Sequence, residues 1–146
     1  MDKDKIPDYL DDEDYLAILS IGEGKLTHTK LQKISYVLSN ITKFEGKFTA
    51  YDYGNFSESI MEKIQSPLNR NIYSVSNDTY SLTTKGMEIY RSLVELLNPD
   101  DRSAILNLLK LLRQMSAVEL GVFTHHLFSE KAAKEYMKTL GTGGSK

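Results

Sequence analysis

Ile72-Tyr73-Ser74-Val75-Ser76-Asn77-Asp78-Thr79-Tyr80-Ser81-Leu82-Thr83 is the stretch from which the rest of the chain is read. Two runs, 72–76 and 79–83, alternate apolar and polar residues with period two, the spacing of strands with one buried face. Asn77 and Asp78 stand between them, and both tolerate the left-handed backbone that a two-residue hairpin turn needs. Counting outward pairs Ser76 with Thr79, Val75 with Tyr80, Ser74 with Ser81 and Tyr73 with Leu82. One face then carries Tyr73, Val75, Tyr80 and Leu82, the other Ser and Thr. A slip of one residue would destroy this match, so the register is well specified. A lone hairpin barely holds in water, so the apolar face is expected to rest on helices.

Three helical patterns precede the hairpin. The first covers 12–21, with Asp11 or Asp12 as cap, acids in the first turn and Gly22-Glu23-Gly24 as its end. Residues 1–11 before it read as a loose acidic arm. The second covers 29–40, capped by Thr27 or Thr29, with Leu31, Ile34, Val37, Leu38 and Ile41 on one stripe and Lys30, Lys33 and Asn40 off it. A loop over 42–55 holds Phe44, Phe48, Tyr51 and Tyr53, too aromatic for a disordered linker. The third helix covers 56–66, with Asn55 and Glu58 at capping-box spacing and Pro67 as its stop.

Beyond the hairpin, Thr83 or Thr84 caps a helix over 85–97. Asn98-Pro99-Asp100-Asp101 combines a cap, a proline at the first helical position and acids in the first turn, opening a helix over 99–115. Ile105, Leu106, Leu108, Leu109, Leu111 and Leu112 leave that helix little polar circumference. A homodimer through the helices of 85–128 is expected, the alternative being that they cover the hairpin and first helix of their own chain. Ser116-Ala117-Val118-Glu119 is a further capping box, for a helix through His126. Ser129 caps a last helix to Leu140, and 141–146 reads as a flexible tail.

Three helices followed by a hairpin that packs on them is the order of a winged helix-turn-helix. The expected fold is therefore mainly α with a small β-hairpin: an arm over 1–11, a winged-helix domain over 12–97, and a helical extension over 98–140 for packing or dimerisation. In that layout 56–66 is the recognition helix and Asn77-Asp78 the wing tip. The 42–55 loop is longer than the short turn of a strict helix-turn-helix.

Three blocks carry a family resemblance: Lys30-Leu31-Gln32-Lys33-Ile34, Tyr51-Asp52-Tyr53-Gly54-Asn55-Phe56-Ser57, and Leu82-Thr83-Thr84-Lys85-Gly86. Together they resemble the YwgA-like and SocA-like (Panacea-related) prokaryotic winged-helix families over about residues 14–97. Asn55 stands where those families often have Pro. The resemblance implies a winged helix in a regulator, or in an antitoxin or proteolytic adaptor.

Composition narrows the chemistry. The 146 residues are 40% hydrophobic and 26% charged, a globular balance, and include no Cys, which removes disulfides, thiolate metal sites and cysteine nucleophiles. Absence of Cys suits a cytoplasmic setting. The charged opening does not fit a signal peptide, and no apolar run approaches a membrane span. Net charge is −6 over 1–24, +3 over 25–91 and +1 over 92–146, so the chain is not a broadly basic nucleic-acid binder. His125-His126 are neighbours on a helix and diverge by about 100 degrees, so they do not chelate one ion; a surface role is the simpler reading, as it is for His28. No phosphate-binding Gly-rich loop, G-x-S-x-G or H-E-x-x-H occurs. The expectation is a non-enzyme without cofactor or metal.

Two functions remain. The first is a DNA-binding transcriptional regulator of double-stranded DNA. Lys30, Lys33, Lys63 and Arg70 would hold phosphates, Ser59 and Gln65 would read bases from the outer face of the third helix, and Asn77 would lie at the wing tip. Solvated lysines on helix faces are the plainer reading of the same residues. The second is a winged-helix protein-interaction module: an antitoxin, an adaptor or a subunit of a nucleic-acid-processing complex. The two differ in a testable way. A DNA reader gathers Lys30, Lys33, Lys63 and Arg70 on one face. An interaction module breaks that face with Glu58 and Glu62 and exposes an apolar patch elsewhere.

Overall fold

The computed structural model describes residues 6–51 and 54–126, with 49–51 and 54–56 described by backbone alone. The helix expected from Ser129 to Leu140 and the tail after it lie outside the described residues.

Helices α1 (Asp12–Ile21) and α2 (His28–Ile41) form the centre. Asp11 caps α1: its carboxylate accepts from the Glu13 and Asp14 amides, while Asp14 reaches back to the Asp11 amide. Leu16, Ala17, Ile18, Leu19 and Ile21 are all buried, so α1 is enclosed on most sides rather than along one stripe. Thr27 caps α2, whose residues 31–38 are buried without a break. The cause is packing from several directions, because α1, α5 (Pro99–Gln114) and the short strands β1 (Leu26–Thr27) and β3 (Gly54–Phe56) all lie against α2.

The hairpin forms in the expected register. Strands β4 (Tyr73–Ser76) and β5 (Thr79–Leu82) pair Tyr73 with Leu82, Ser74 with Ser81, Val75 with Tyr80 and Ser76 with Thr79. Asn77 and Asp78 have φ of 51° and 62°, as a left-handed two-residue turn demands. Tyr73 and Tyr80 are buried and Leu82 half-buried, but Val75 is 57% exposed. Residues 74–78 are all exposed, so the hairpin tip overhangs the helices and Val75 goes with it. A third strand, β1, pairs Leu26 with Tyr80 and Thr27 with Thr79, giving an antiparallel sheet of order β1-β5-β4. Two residues carry no detectable alternation, which is why the sequence pattern does not announce β1.

Helix α3 (Glu58–Gln65) begins later than the 56–66 expected, and its cap is Ser57, not Asn55. The reason lies in the preceding loop, which contains a small hairpin of β2 (Thr49–Tyr51) and β3. Asn55 pairs there with Ala50 and is held in extended backbone, two residues short of the helix. Pro67 ends the helix region and opens a single 3₁₀ turn, Pro67–Asn69.

Thr83 caps α4 (Thr84–Leu96). Its hydroxyl also donates to the Asn71 carbonyl at 2.5 Å, tying the helix start to the chain entering β4. Gly86 completes this junction. A Cβ there would lie 2.4 Å from the Ile72 carbonyl oxygen, so the close approach of α4 to β4 requires glycine. Asn98 caps α5, and the reciprocal Ser116–Glu119 bonds open a sixth helix, α6, described over 117–126.

The expectation for the N-terminal arm changes. From Ile6 onward the N-terminal segment is not a loose arm: Ile6 and Leu10 are buried in the common core, because apolar side chains among the acids find space beside α1. Within the described part of the helical extension, Ile105, Leu109, Leu112 and Leu120 join that same core. On α5, Ile105, Leu109 and Leu112 are buried against the helix's own chain, Leu106 and Leu108 are half-buried and Leu111 is exposed. Among the described residues no helix is long and apolar enough to cross a membrane.

Candidate functional site

The expected nucleic-acid face is distributed differently from its sequence reading. Lys30 extends to the end of α5, where its ammonium donates to the Arg113 carbonyl at 2.8 Å. Arg113 in turn donates from Nε to the Ser20 carbonyl and from Nη2 to the Leu19 carbonyl, both at 2.8 Å. Each cation therefore closes a helix C-terminus whose last carbonyls have no partner within the helix. Lys33 is buried between α2 and α6, within contact range of Gly121, and burial holds its pKa below the ordinary lysine value. Neither lysine lies on an open phosphate-facing surface.

Lys63 lies on the same side of α3 as Ser59, both lining one small pocket, whereas Gln65 does not line it. The lysine is turned to the acids of α1 and not to an open surface. Its ammonium sits 2.8 Å from Asp11 Oδ2 and 3.8 Å from Asp14 Oδ2. The hydrogen bond to Asp11 raises the lysine pKa. Burial of Asp14 raises its carboxyl to about 6, against the lowering effects of the Asp11 amide and Lys63. Partial burial also pushes Asp11 upward, but the hydrogen bond from Lys63 and the Asp14 amide outweigh it and leave Asp11 below its usual value. The acids at the start of α1 thus consume the lysine of α3.

Of the remaining candidates, Gln65, Arg70 and Asn77 are exposed and Ser59 is half-buried. Arg70 lies after the 3₁₀ turn and its Nε contacts the Pro67 carbonyl at 3.4 Å. Glu58 and Glu62 are exposed on α3, so its outer face is acidic. The side chains of Tyr51, Tyr53 and Phe56 lie outside the described residues.

A buried polar network that sequence reasoning missed positions α3. The Gln32 amide holds both backbone groups of Ser57: Oε1 accepts the Ser57 amide at 2.8 Å and Nε2 donates to the Ser57 carbonyl at 2.9 Å. Ser57 Oγ donates to Glu13 Oε2 at 3.0 Å, and the same oxygen accepts the Lys47 amide. Gln32 belongs to the Lys-Leu-Gln-Lys block and Ser57 to the Tyr-x-Tyr-Gly-Asn-Phe-Ser block, so two separated motifs meet here. The available signal was the pairing of the blocks, not any spacing within them.

Alongside α3 lies a pocket of about 240 Å³ formed by Tyr9, Asp14, Ser59, Glu62, Lys63, Ser66, Leu68 and Asn69. At its back, the Asn69 amide donates to Asp14 Oδ1 at 3.3 Å and to the Lys63 carbonyl at 2.8 Å, while Asn69 Oδ1 accepts from no described group. The Tyr73 hydroxyl, close enough to feel the charges of Asp14 and Asp11, is buried and also without a partner among the described residues. Leu111 on α5 is 58% exposed, and Val118 and Val122, one turn apart on α6, are 77% and 68% exposed, all remote in sequence from α3. No group of three or more metal-binding side chains occurs among the described residues.

No family model, curated protein or solved structure matches this chain.

Proposed function

We propose that this chain is a winged-helix protein-interaction module, of the kind that serves as an antitoxin, an adaptor or a subunit of a nucleic-acid-processing complex. The element order α1-β1-α2-α3-β4-β5, with sheet order β1-β5-β4, supports the winged-helix assignment. So do the three sequence blocks that resemble the YwgA-like and SocA-like families. One observation carries the choice of an interaction module over a DNA reader. The helix that would enter a groove presents Glu58 and Glu62, while its lysine is neutralised by Asp11 and Asp14. Phosphate attraction dominates duplex affinity, and an acidic helix face opposes it. The exposed Val118 and Val122, neighbours on one side of α6, supply apolar surface that a partner would cover.

Two measurements decide between the readings. Titration of a labelled duplex at low salt is expected to give no saturable binding. Binding with a salt slope of about −3 to −4 in log affinity against log salt would restore the regulator and overturn the module. Selection of displayed random peptides on the immobilised chain is expected to enrich a consensus that fails on a Val118→Asp/Val122→Asp or a Glu62→Lys variant. Failure to enrich any consensus would also count against the module.

A further inference from the structure

Ser59, Glu62, Lys63 and Ser66 follow one another at steps of three, one and three residues, which places them in one stripe along α3 and its end. They face Tyr9, Asp14, Leu68 and Asn69 across the small pocket. Its charge is one-sided. Asp14 and Glu62 line it and Asp11 adjoins it through Lys63, so three carboxylates stand against one ammonium. That ammonium is already held at 2.8 Å by Asp11.

The hydrogen-bonding inventory has the same bias. Asn69 is 4% exposed, both its described donations go to groups of this chain, and its Oδ1 remains an unused acceptor. The rim is apolar and open: Tyr9 is 52% and Leu68 72% exposed, and the Tyr9 hydroxyl donates to the Leu68 carbonyl at 3.3 Å, which keeps the two together. An anion entering here would meet Glu62 and Asp14. A purely apolar side chain would strip water from acceptors without replacing it. A long side chain with an apolar stem and a cationic, donor-only head meets every part of the lining.

We infer that this pocket receives a cationic side chain, an arginine above all, from a protein partner. Its stem lies against Leu68, its head faces Glu62 and the acids of α1, and the Tyr9 ring adds a cation–π contact. The inference rests on the interaction-module reading and names the chemistry of the partner at one point of contact. Arg suits the site better than Lys because its planar fork can donate to several acceptors at once.

Amide spectra of the isotopically labelled full chain, titrated with N-acetyl-arginine amide and separately with N-acetyl-citrulline amide, test this. Citrulline keeps the shape and removes the charge. The arginine probe is expected to shift the amides of Ser59, Glu62, Ser66, Leu68 and Asn69 saturably, and the citrulline probe to bind several-fold more weakly. Tyr9→Leu should weaken the arginine probe by about threefold, and Glu62→Gln by at least as much. Both residues are exposed, and unchanged signals from 72–83 would confirm that the variants fold. Absence of saturable shifts in the pocket up to about 50 mM probe, a range that covers very weak sites, would overturn the inference, as would equal affinity for citrulline. If the probe fails while selected peptides still bind, the pocket assignment falls and the module stands. If α3 binds duplex DNA, the module itself falls.

Discussion

Both ends of α1 are closed by a cation from a distant part of the chain, yet by different chemistry. At the C-terminal end, Arg113 donates to two neutral carbonyls, Leu19 and Ser20, across 94 and 93 residues of sequence. At the N-terminal end, Lys63 meets two carboxylates, Asp11 and Asp14. The first closure relies on unpaired helix carbonyls, which do not titrate. The second relies on ionised side chains, one of them buried, and therefore depends on pH. The carbonyl closure fastens the C-terminal helices to the core. The carboxylate closure faces the candidate pocket and leaves it polar.

The comparison can be broken most severely at Gly22. Its φ of 51° with ψ of −130° suits glycine, and an added Cβ would lie 2.3 Å from Arg113 Nη2. Gly22→Ala thus strains the backbone and displaces the arginine. A loss of about 3–5 kcal/mol is expected, read from the denaturant midpoint. Arg113→Met keeps the stem but removes both donations, and should cost about 2–3 kcal/mol at any pH between 5 and 8. A cost that varied strongly with pH across that range would contradict the neutral-carbonyl account.

The opposite end should respond to pH. Asp14 is ordinarily a group of pKa 3.8, raised here to about 6. The folded state therefore holds its proton more tightly than the unfolded chain. Its stabilising contribution is present below 3.8 and is lost as pH rises through about 6. Between pH 5 and 7 the loss should be about 1 kcal/mol. Burial lowers the pKa of His28, whose contribution runs the other way and is gained as pH rises. The clean quantity is thus the difference in pH slope between the parent and Asp14→Asn, with the variant lacking the downward term. Identical slopes would remove Asp14 from the account.

Lys63→Met sharpens the comparison with the smallest effect on stability. The pair with Asp11 is partly exposed, so under about 1 kcal/mol should be lost at neutral pH. The same change removes a charge that lowers the Asp14 pKa. The pH-dependent window of the variant should consequently move upward, measurable by the carboxyl titration of labelled Asp14. No movement would show that Lys63 and Asp14 do not interact.

The division between these regions follows how far apart the deciding atoms lie in sequence. The pairing of Tyr73 with Leu82, the turn at Asn77-Asp78, the cap at Asn98 and, to within one or two residues, the caps at Asp11, Thr27 and Thr83 were legible because each is decided within about a dozen residues, by a period or a cap spacing. Ser57 replaced Asn55 as cap because Asn55 is engaged in a three-residue strand, too short to show alternation. The candidate site was less legible. Lys30, Lys33 and Lys63 are cations off the apolar stripes, and such residues ordinarily face water. Here Lys30 meets Arg113, Lys33 lies beneath α6 and Lys63 meets Asp11, each over at least 52 residues of sequence. The Gln32–Ser57 clamp spans 25 residues. Local periodicity tells which side of a helix is apolar. Whether the polar side meets water or another part of the chain depends on which elements pack around it, and only the assembled fold settles that.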